Sequence, residues 1–193
     1  MFTVSVAPQK IMWMAWDRYR QTKKNVQVDF YTGMPTMFAV PKYSEALNNL
    51  RIERGVGGNF GHNLVSVDAD NRKATFKRAD NTTVDVDFTL LHATPPMGPL
   101  DFLKESSIVD AAGWVDVDKA TLRHNKPEFG NIFALGDCSS LPTSKTAAAI
   151  TSQAPVLTEN LFSVLDTGKV SSAIYDGYTS CPVSRLFPGY TVR

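Results

Sequence analysis

The chain has 193 residues, 43% of them hydrophobic and 20% charged, with a formal net charge of +1. That length suits one sizeable core or parts of two domains, and the composition is that of an ordinary soluble globular protein. The near-neutral charge, with no stretch that gathers Lys and Arg on one face, argues against a dedicated nucleic-acid surface, and no apolar run reaches the roughly 18 residues of a membrane span. Lys23, Lys24, Arg51, Arg54, Arg72 and Arg78 read as solvated charges. Residues 1–7 hold no basic residue and no signal or transit pattern. With only two cysteines the chain is not a disulfide scaffold; it fits a reducing compartment or a redox-active pair.

In chain order, residues 8–21 read as a helix, with Pro8 in its first turn and Ile11, Met12, Ala15, Trp16 and Tyr19 at helical spacing. Residues 26–31 alternate apolar and polar, the period of a strand, and Gly33 and Pro35 end it. A second helix is expected over 43–54, with Ala46, Leu47 and Leu50 on one side and Gly55 as its stop. Residues 62–68 and 73–78 read as strands around a turn at Asp70 and Asn71, and 82–87 and 88–93 continue extended. This is an α/β unit with a β-meander. Such a unit opens on a buried central strand, and residues 1–6 are a poor replacement for one, as though the chain were cut into a fold already under way. A Gly/Pro-punctuated crossing runs from Pro95 to Gly113, and 114–118 resumes a strand pattern. Residues 131–137 read as an apolar strand ending in Gly-Asp, followed by a long helix over 144–165, broken or kinked near Pro155. There is no internal repeat.

The chemistry concentrates between Asn131 and Ala149. A strand that delivers Gly136 and Asp137 at its carboxyl end, just before a helix, marks the place where open α/β sheets bind ligands. Gly136 permits close backbone approach. Asp137 can accept hydrogen bonds from ligand hydroxyls such as those of a ribityl chain. The open amides of the following helix favour a partial negative charge, and Lys145 and Thr146 in its first turn add to that effect. Taken alone, the Gly-Asp pair is equally a capping turn with Asp137 as a local cap. Cys138 reads as a buried small residue, and Cys181, in a Tyr/Gly-rich turn, as an inert thiol unless its surroundings activate it. His62, His92 and His124 show no metal spacing with the cysteines and read as surface or strand-end histidines. Trp13, Trp16 and Trp114 read as core or domain-interface residues.

The string Gly136-Asp137 with Thr143-Ser144-Lys145-Thr146-Ala147-Ala148-Ala149 is similar to the second flavin-binding motif of the mitochondrial-type sulfide:quinone oxidoreductases, members of the two-dinucleotide-binding-domain flavoproteins. Four further segments resemble that family, in family order. They are Ala7-Pro8-Gln9-Lys10-Ile11-Met12, the run from Leu91 to Met97, the run from Asp110 to Asp118, and Tyr175-Asp176-Gly177-Tyr178-Thr179-Ser180-Cys181-Pro182. The departures are at the ends. The family's amino-terminal Gly-rich βαβ fingerprint has no counterpart, Val4 stands at the position of the first redox cysteine, and residues 183–193 do not resemble the family continuation.

The resemblance implies an α/β fold: a partial FAD/NAD(P)-binding, Rossmann-like two-domain flavoprotein, truncated at both ends. Residues 7–96 would be the remnant of a nicotinamide-type domain, 97–168 the returning segment of the FAD-binding domain, and 169–193 the irregular, unpacked start of a carboxyl-terminal region. It implies FAD as cofactor, held by Gly136, Asp137, Lys145 and Thr146 with Lys10 as a further candidate, and Cys181 as the catalytic member of a cysteine pair that carries sulfane sulfur. No metal is implied. The partners implied are hydrogen sulfide, ubiquinone, a small thiol acceptor that takes the persulfide sulfur, and the mitochondrial inner-membrane surface, without a transmembrane segment or nucleic acid in this chain. The chain by itself is expected to be colourless and inactive. A non-catalytic, partner-binding product stays open as an alternative. So does another FAD-dependent NAD(P)H dehydrogenase, although that reading requires a Gly-rich loop before the first helix, which Val4-Ser5-Val6-Ala7-Pro8 is not.

Overall fold

The computed structural model describes residues 6–22, 25–95 and 97–181. Val4, Lys23, Lys24 and residues 182–193, on which several sequence expectations rest, lie outside the described residues. The chain divides into two compact units on either side of residue 96.

In the first unit, α1 (Val6–Gln21) is followed by a parallel β-α-β crossover of β1 (Asp29–Thr32), α2 (Pro41–Glu53) and β2 (Gly57–Phe60). An antiparallel meander then runs β3 (His62–Asp68), β4 (Lys73–Arg78) and β5 (Thr83–Asp87), in the order β3-β4-β5. The alternation of 62–87 produces this meander directly, because turn residues at Asp70-Asn71 and Asn81 reverse the chain between periodic segments. Met12 and Trp13 of α1, Phe30 of β1, Met37, Leu47 of α2 and Val56 form its core. Tyr31 stacks on Phe76 at 4.3 Å between ring centroids, joining the parallel pair to the meander. β1 begins at Asp29, three residues later than the pattern suggests, since β2 offers it only four paired residues. Residues 88–93 lie in no strand.

The second unit is mostly irregular. It contains α3 (Asp101–Lys104), short 3-10 helices at Pro127–Phe129 and Gly136–Cys138, and the long α4 (Ala147–Thr167). Val115, Val117, Leu122, Ala134, Leu141 and Tyr175 form its core. Two expected strands are corrected here. Residues 114–118 and 131–137 make isolated bridges only, Val115 with Ser139, Val117 with His124 and Arg123 with Phe133. Their apolar pattern reflects burial, but their backbone groups are met one at a time by separate loops, as where His124 N–H donates to Ile132 and Ala134 N–H to Leu122. Apolar runs of this length do not distinguish a strand from a buried loop.

α4 is corrected as well. It starts at Ala147, and it runs through Pro155 without a break. Pro155 is on the exposed side, while Ala149, Gln153 and Asn160 anchor the buried side on both flanks of it. His124 is not a surface residue. It is 5% exposed, and its Nε2 sits 3.0 Å from the Ile108 carbonyl while its Nδ1 accepts from the Lys126 N–H. Those partners assign the neutral tautomer with the proton on Nε2. Residues 169–181 carry no regular element but are packed, against the expectation of a loose tail: the Tyr175 ring is in the core and the segment is pinned by Asn160.

The turn after Val117 is held by Asp118, whose Oδ1 accepts from the N–H groups of Ala120 and Thr121 and from the Thr121 hydroxyl. It sets up Leu122, which is fully buried at φ 65°. The Thr121 backbone bond holds the Asp118 carboxyl below its ordinary value. A depressed folded-state value stabilises the fold above the ordinary carboxylate range, and that stabilisation disappears as pH falls through the folded value. Asp118→Asn is therefore expected to lower stability near neutral pH and to flatten its acid dependence. Thermal melts of both proteins across the acid range check this, and parallel pH profiles would contradict it.

Candidate functional site

The site is built around the entry to α4. Leu135 is extended, and Gly136 then turns the chain at φ 66°, a left-handed conformation that glycine adopts without strain. A Cβ here would also stand 3.2 Å from Ile150 Cδ1 of α4. The turn is locked from both sides. The Gly136 N–H donates to Gln153 Oε1 at 2.8 Å, and the Gly136 carbonyl accepts from Ser139 Oγ at 2.7 Å. Gln153 and Ser139 are both buried. Asp137 follows on the exposed crest of this turn, and its carboxylate takes no hydrogen bond from the described residues.

Thr146, not Asp137, caps α4: its backbone is extended and its Oγ1 accepts from the Ala149 N–H at 3.1 Å. This corrects the expectation that Lys145 and Thr146 occupy the first helical turn. With Thr146 as the cap, the N–H groups of Ala147 and Ala148 have no acceptor within the helix. Lys145 precedes the cap, and its side chain folds inward, where Nζ donates to the Ser139 carbonyl at 2.7 Å and lies 4.1 Å from the centre of the Trp114 ring. Burial pulls the Lys145 ammonium below its ordinary value, opposed by the electrostatic influence of nearby Asp137, Cys138 and Asp110. Gly136, Thr143, Lys145, Thr146 and Gln153 are among the residues that line a narrow crevice with no room for a water molecule.

The segment that bears Cys181 is hooked onto the same helix entry. Tyr175 Oη donates to the Tyr178 carbonyl at 2.6 Å and contacts Thr143 Oγ1 at 3.3 Å. Thr179 Oγ1 donates to the Ser144 carbonyl and is 3.0 Å from Thr146 Oγ1. The structure thus brings Gly136, Asp137, Lys145 and Thr146 together, with the half-buried Cys181 two residues beyond Thr179. Cys138 is half-buried rather than buried, with its thiol against the Leu135 carbonyl. Lys10 belongs to α1 in the other unit. Among the described residues, no group of three or more His, Cys, Asp or Glu is placed to hold a metal, and no helix is long and apolar enough to cross a membrane.

Gln153, Ser139, Trp114 and Thr179 were not singled out as site residues from sequence. Only Gln153 left a signal. It lies on the stripe Ala149–Gln153–Val156–Asn160 at helical spacing, where amides on an otherwise apolar face imply specific partners.

No protein-family model matches the chain. The chain is 50% identical over 189 residues to the mitochondrial sulfide:quinone oxidoreductase of Schizosaccharomyces pombe, a match that covers 95% of this chain and 40% of that protein. The mitochondrial sulfide:quinone oxidoreductases of Dictyostelium discoideum and Mus musculus are 48% and 43% identical, over 94% and 95% of this chain and again 40% of each relative. The resemblance to the mitochondrial sulfide:quinone oxidoreductases holds along nearly the whole chain. The chain spans about two fifths of the length of these relatives.

Among solved structures, a chain in the Tetrahymena thermophila mitochondrial ATP synthase matches with a TM-score of 0.76 at 25% identity, over 90% of this chain and 42% of that one. The sulfide:quinone oxidoreductase of Aquifex aeolicus matches with a TM-score of 0.65 at 13% identity, over 82% and 40%. A ferredoxin reductase from Rhodopseudomonas palustris matches at 0.56 and 17%, over 87% and 40%. The last two show the fold alone. It is the partial, Rossmann-like α/β fold read from the sequence.

Proposed function

We propose that this chain is a segment of a mitochondrial flavoprotein of the sulfide:quinone oxidoreductase type. In the whole protein, hydrogen sulfide is oxidised, electrons pass through FAD to ubiquinone at the inner membrane, and a small thiol takes the sulfur. The observation that supports this most is the identity of 43–50% across nearly the entire chain to proteins of that name. The site geometry is consistent with it. An exposed, uncommitted Asp137 carboxylate suits ribityl hydroxyls, and the open Ala147 and Ala148 amides with the Lys145 cation suit the electron-rich edge of a flavin. On this reading the unit before residue 96 is the nicotinamide-type domain with Lys10 on α1, and the unit after it belongs to the FAD-binding domain.

FAD supplies the two-electron chemistry, while the protein positions it and sets its surroundings. Of this chain's own residues, Gly136 keeps the turn low enough for close approach, Asp137 accepts hydrogen bonds, and Thr146 fixes the direction of the helix amides. Cys181 supplies a sulfur nucleophile once deprotonated. Val4, at the position matching the family's other redox cysteine, cannot form a disulfide with it, so the chain alone does not complete the sulfide cycle.

The test is a titration of the 15N-labelled chain with FAD, read by amide shifts so that weak binding is visible. Shifts are expected around Gly136, Asp137, Ala147 and Ala148. Asp137→Asn is expected to weaken binding about tenfold, the loss of one charge-assisted hydrogen bond. Shifts confined to other regions, or equal affinity for the variant, would overturn the flavin assignment. Sulfide-dependent quinone reduction by the chain alone would overturn the statement about Val4.

A further inference from the structure

We propose that Trp114 is the positioning residue that holds the Lys145 ammonium at the flavin-facing turn, through the face of its indole. The proposal rests on the reading of that turn as a cofactor site and adds to it a residue that acts through another. Asp110 Oδ1 accepts from the N–H groups of Ala112 and Trp114, and Gly113 closes the turn at φ 87°. On the other side, the Val115 N–H donates to the Cys138 carbonyl and the Ser140 N–H donates to the Val115 carbonyl. Val115, the residue after Trp114, is therefore tied by backbone bonds to the same segment, 136–140, that forms the candidate site. Val115 is buried in the core beside it, while the Trp114 ring is half-buried under Lys145.

A flexible lysine stem would otherwise carry its strongly hydrated charge into water. Here one N–H of the ammonium is held by the Ser139 carbonyl at 2.7 Å, and the negative face of the indole lies 4.1 Å away, a close cation–π distance. Asp137, Cys138 and Asp110 are the charged or titratable groups that act on it, and burial lowers its affinity for the proton against their pull. The ring thus offsets part of the desolvation and keeps the cation beside the Asp137 turn before any ligand arrives. Preorganised charge of this kind spares a ligand the cost of ordering it.

The experiment compares wild type, Trp114→Leu and Trp114→Phe. The first readout is the acylation rate of Lys145 relative to the exposed Lys119 in the same sample, by peptide mass spectrometry. Trp114→Leu is expected to raise that ratio about fivefold, with Trp114→Phe restoring most of the protection. The second readout is FAD affinity by amide shifts in a cycle with Lys145→Met. If Trp114 acts through Lys145, Trp114→Leu changes affinity in wild type and has no further effect once Lys145 is gone. Should Trp114→Leu not fold, fluorinated tryptophan replaces it: weakening the ring's negative face at constant shape should raise Lys145 acylation stepwise. Unchanged acylation in folded Trp114→Leu or across the fluorinated series, or failure of Phe to rescue, would overturn the proposal. Additive affinity losses in the cycle would do so too. Absence of FAD binding in wild type would instead sink the flavin reading and leave the acylation result to judge Trp114.

Discussion

Asn160→Ala is expected to destabilise the unit 97–181 by about 3–4 kcal/mol, the largest effect of any single polar substitution in it. Asn160 is fully buried on α4. Its Nδ2 donates to the carbonyls of Thr121 and Ala173, and its Oδ1 accepts from the N–H and the hydroxyl of Ser171. One amide therefore satisfies backbone groups from two separate loops that have no strand ladder to pair them. Truncation leaves several of these groups buried and unpaired, and each costs about 1–3 kcal/mol where water cannot enter. Relaxation of residues 169–175 recovers part of that, which places the expected loss at the low end of the simple sum. Hydrogen exchange of the amides in 115–175, compared between wild type and variant, measures the change for this unit. A loss smaller than about 1 kcal/mol would show that the loops pair with water instead.

Gln153→Leu is the second substitution with a large expected effect. Gln153 is 2% exposed and supplies the acceptor for the Gly136 N–H. Leucine keeps the packing volume but orphans that donor, at a cost of about 1–3 kcal/mol. For a unit of this size such a loss lowers the melting temperature by on the order of 10 °C. The same substitution releases the turn that presents Asp137, so FAD affinity should fall about tenfold even though Gln153 lies beneath the turn rather than on its crest. Melting and the amide-shift titration check the two halves separately. A destabilised variant with unchanged affinity would show that the turn holds its shape without Gln153; a stable variant would show that the Gly136 N–H finds another acceptor.

These two amides mark the boundary between what residue order alone determined and what depended on tertiary contacts. The helices α1 and α2 and the β3-β4-β5 meander were legible because their apolar residues recur at the helical or strand period, and Gly55 and the turn at Asp70-Asn71 punctuate them. The grouping of Gly136, Asp137, Lys145 and Thr146 was legible because all four lie within eleven residues around one helix entry. The strands expected at 114–118 and 131–137 did not form, since β structure depends on a neighbour at the right distance and an apolar run does not carry that information. The identity of the α4 cap was decided by the backbone at Thr146, whose extended conformation moved Lys145 outside the helix. Freed from the helix, the lysine stem could reach Ser139 and Trp114, residues six and thirty-one positions away, and only tertiary packing makes such distant side chains neighbours.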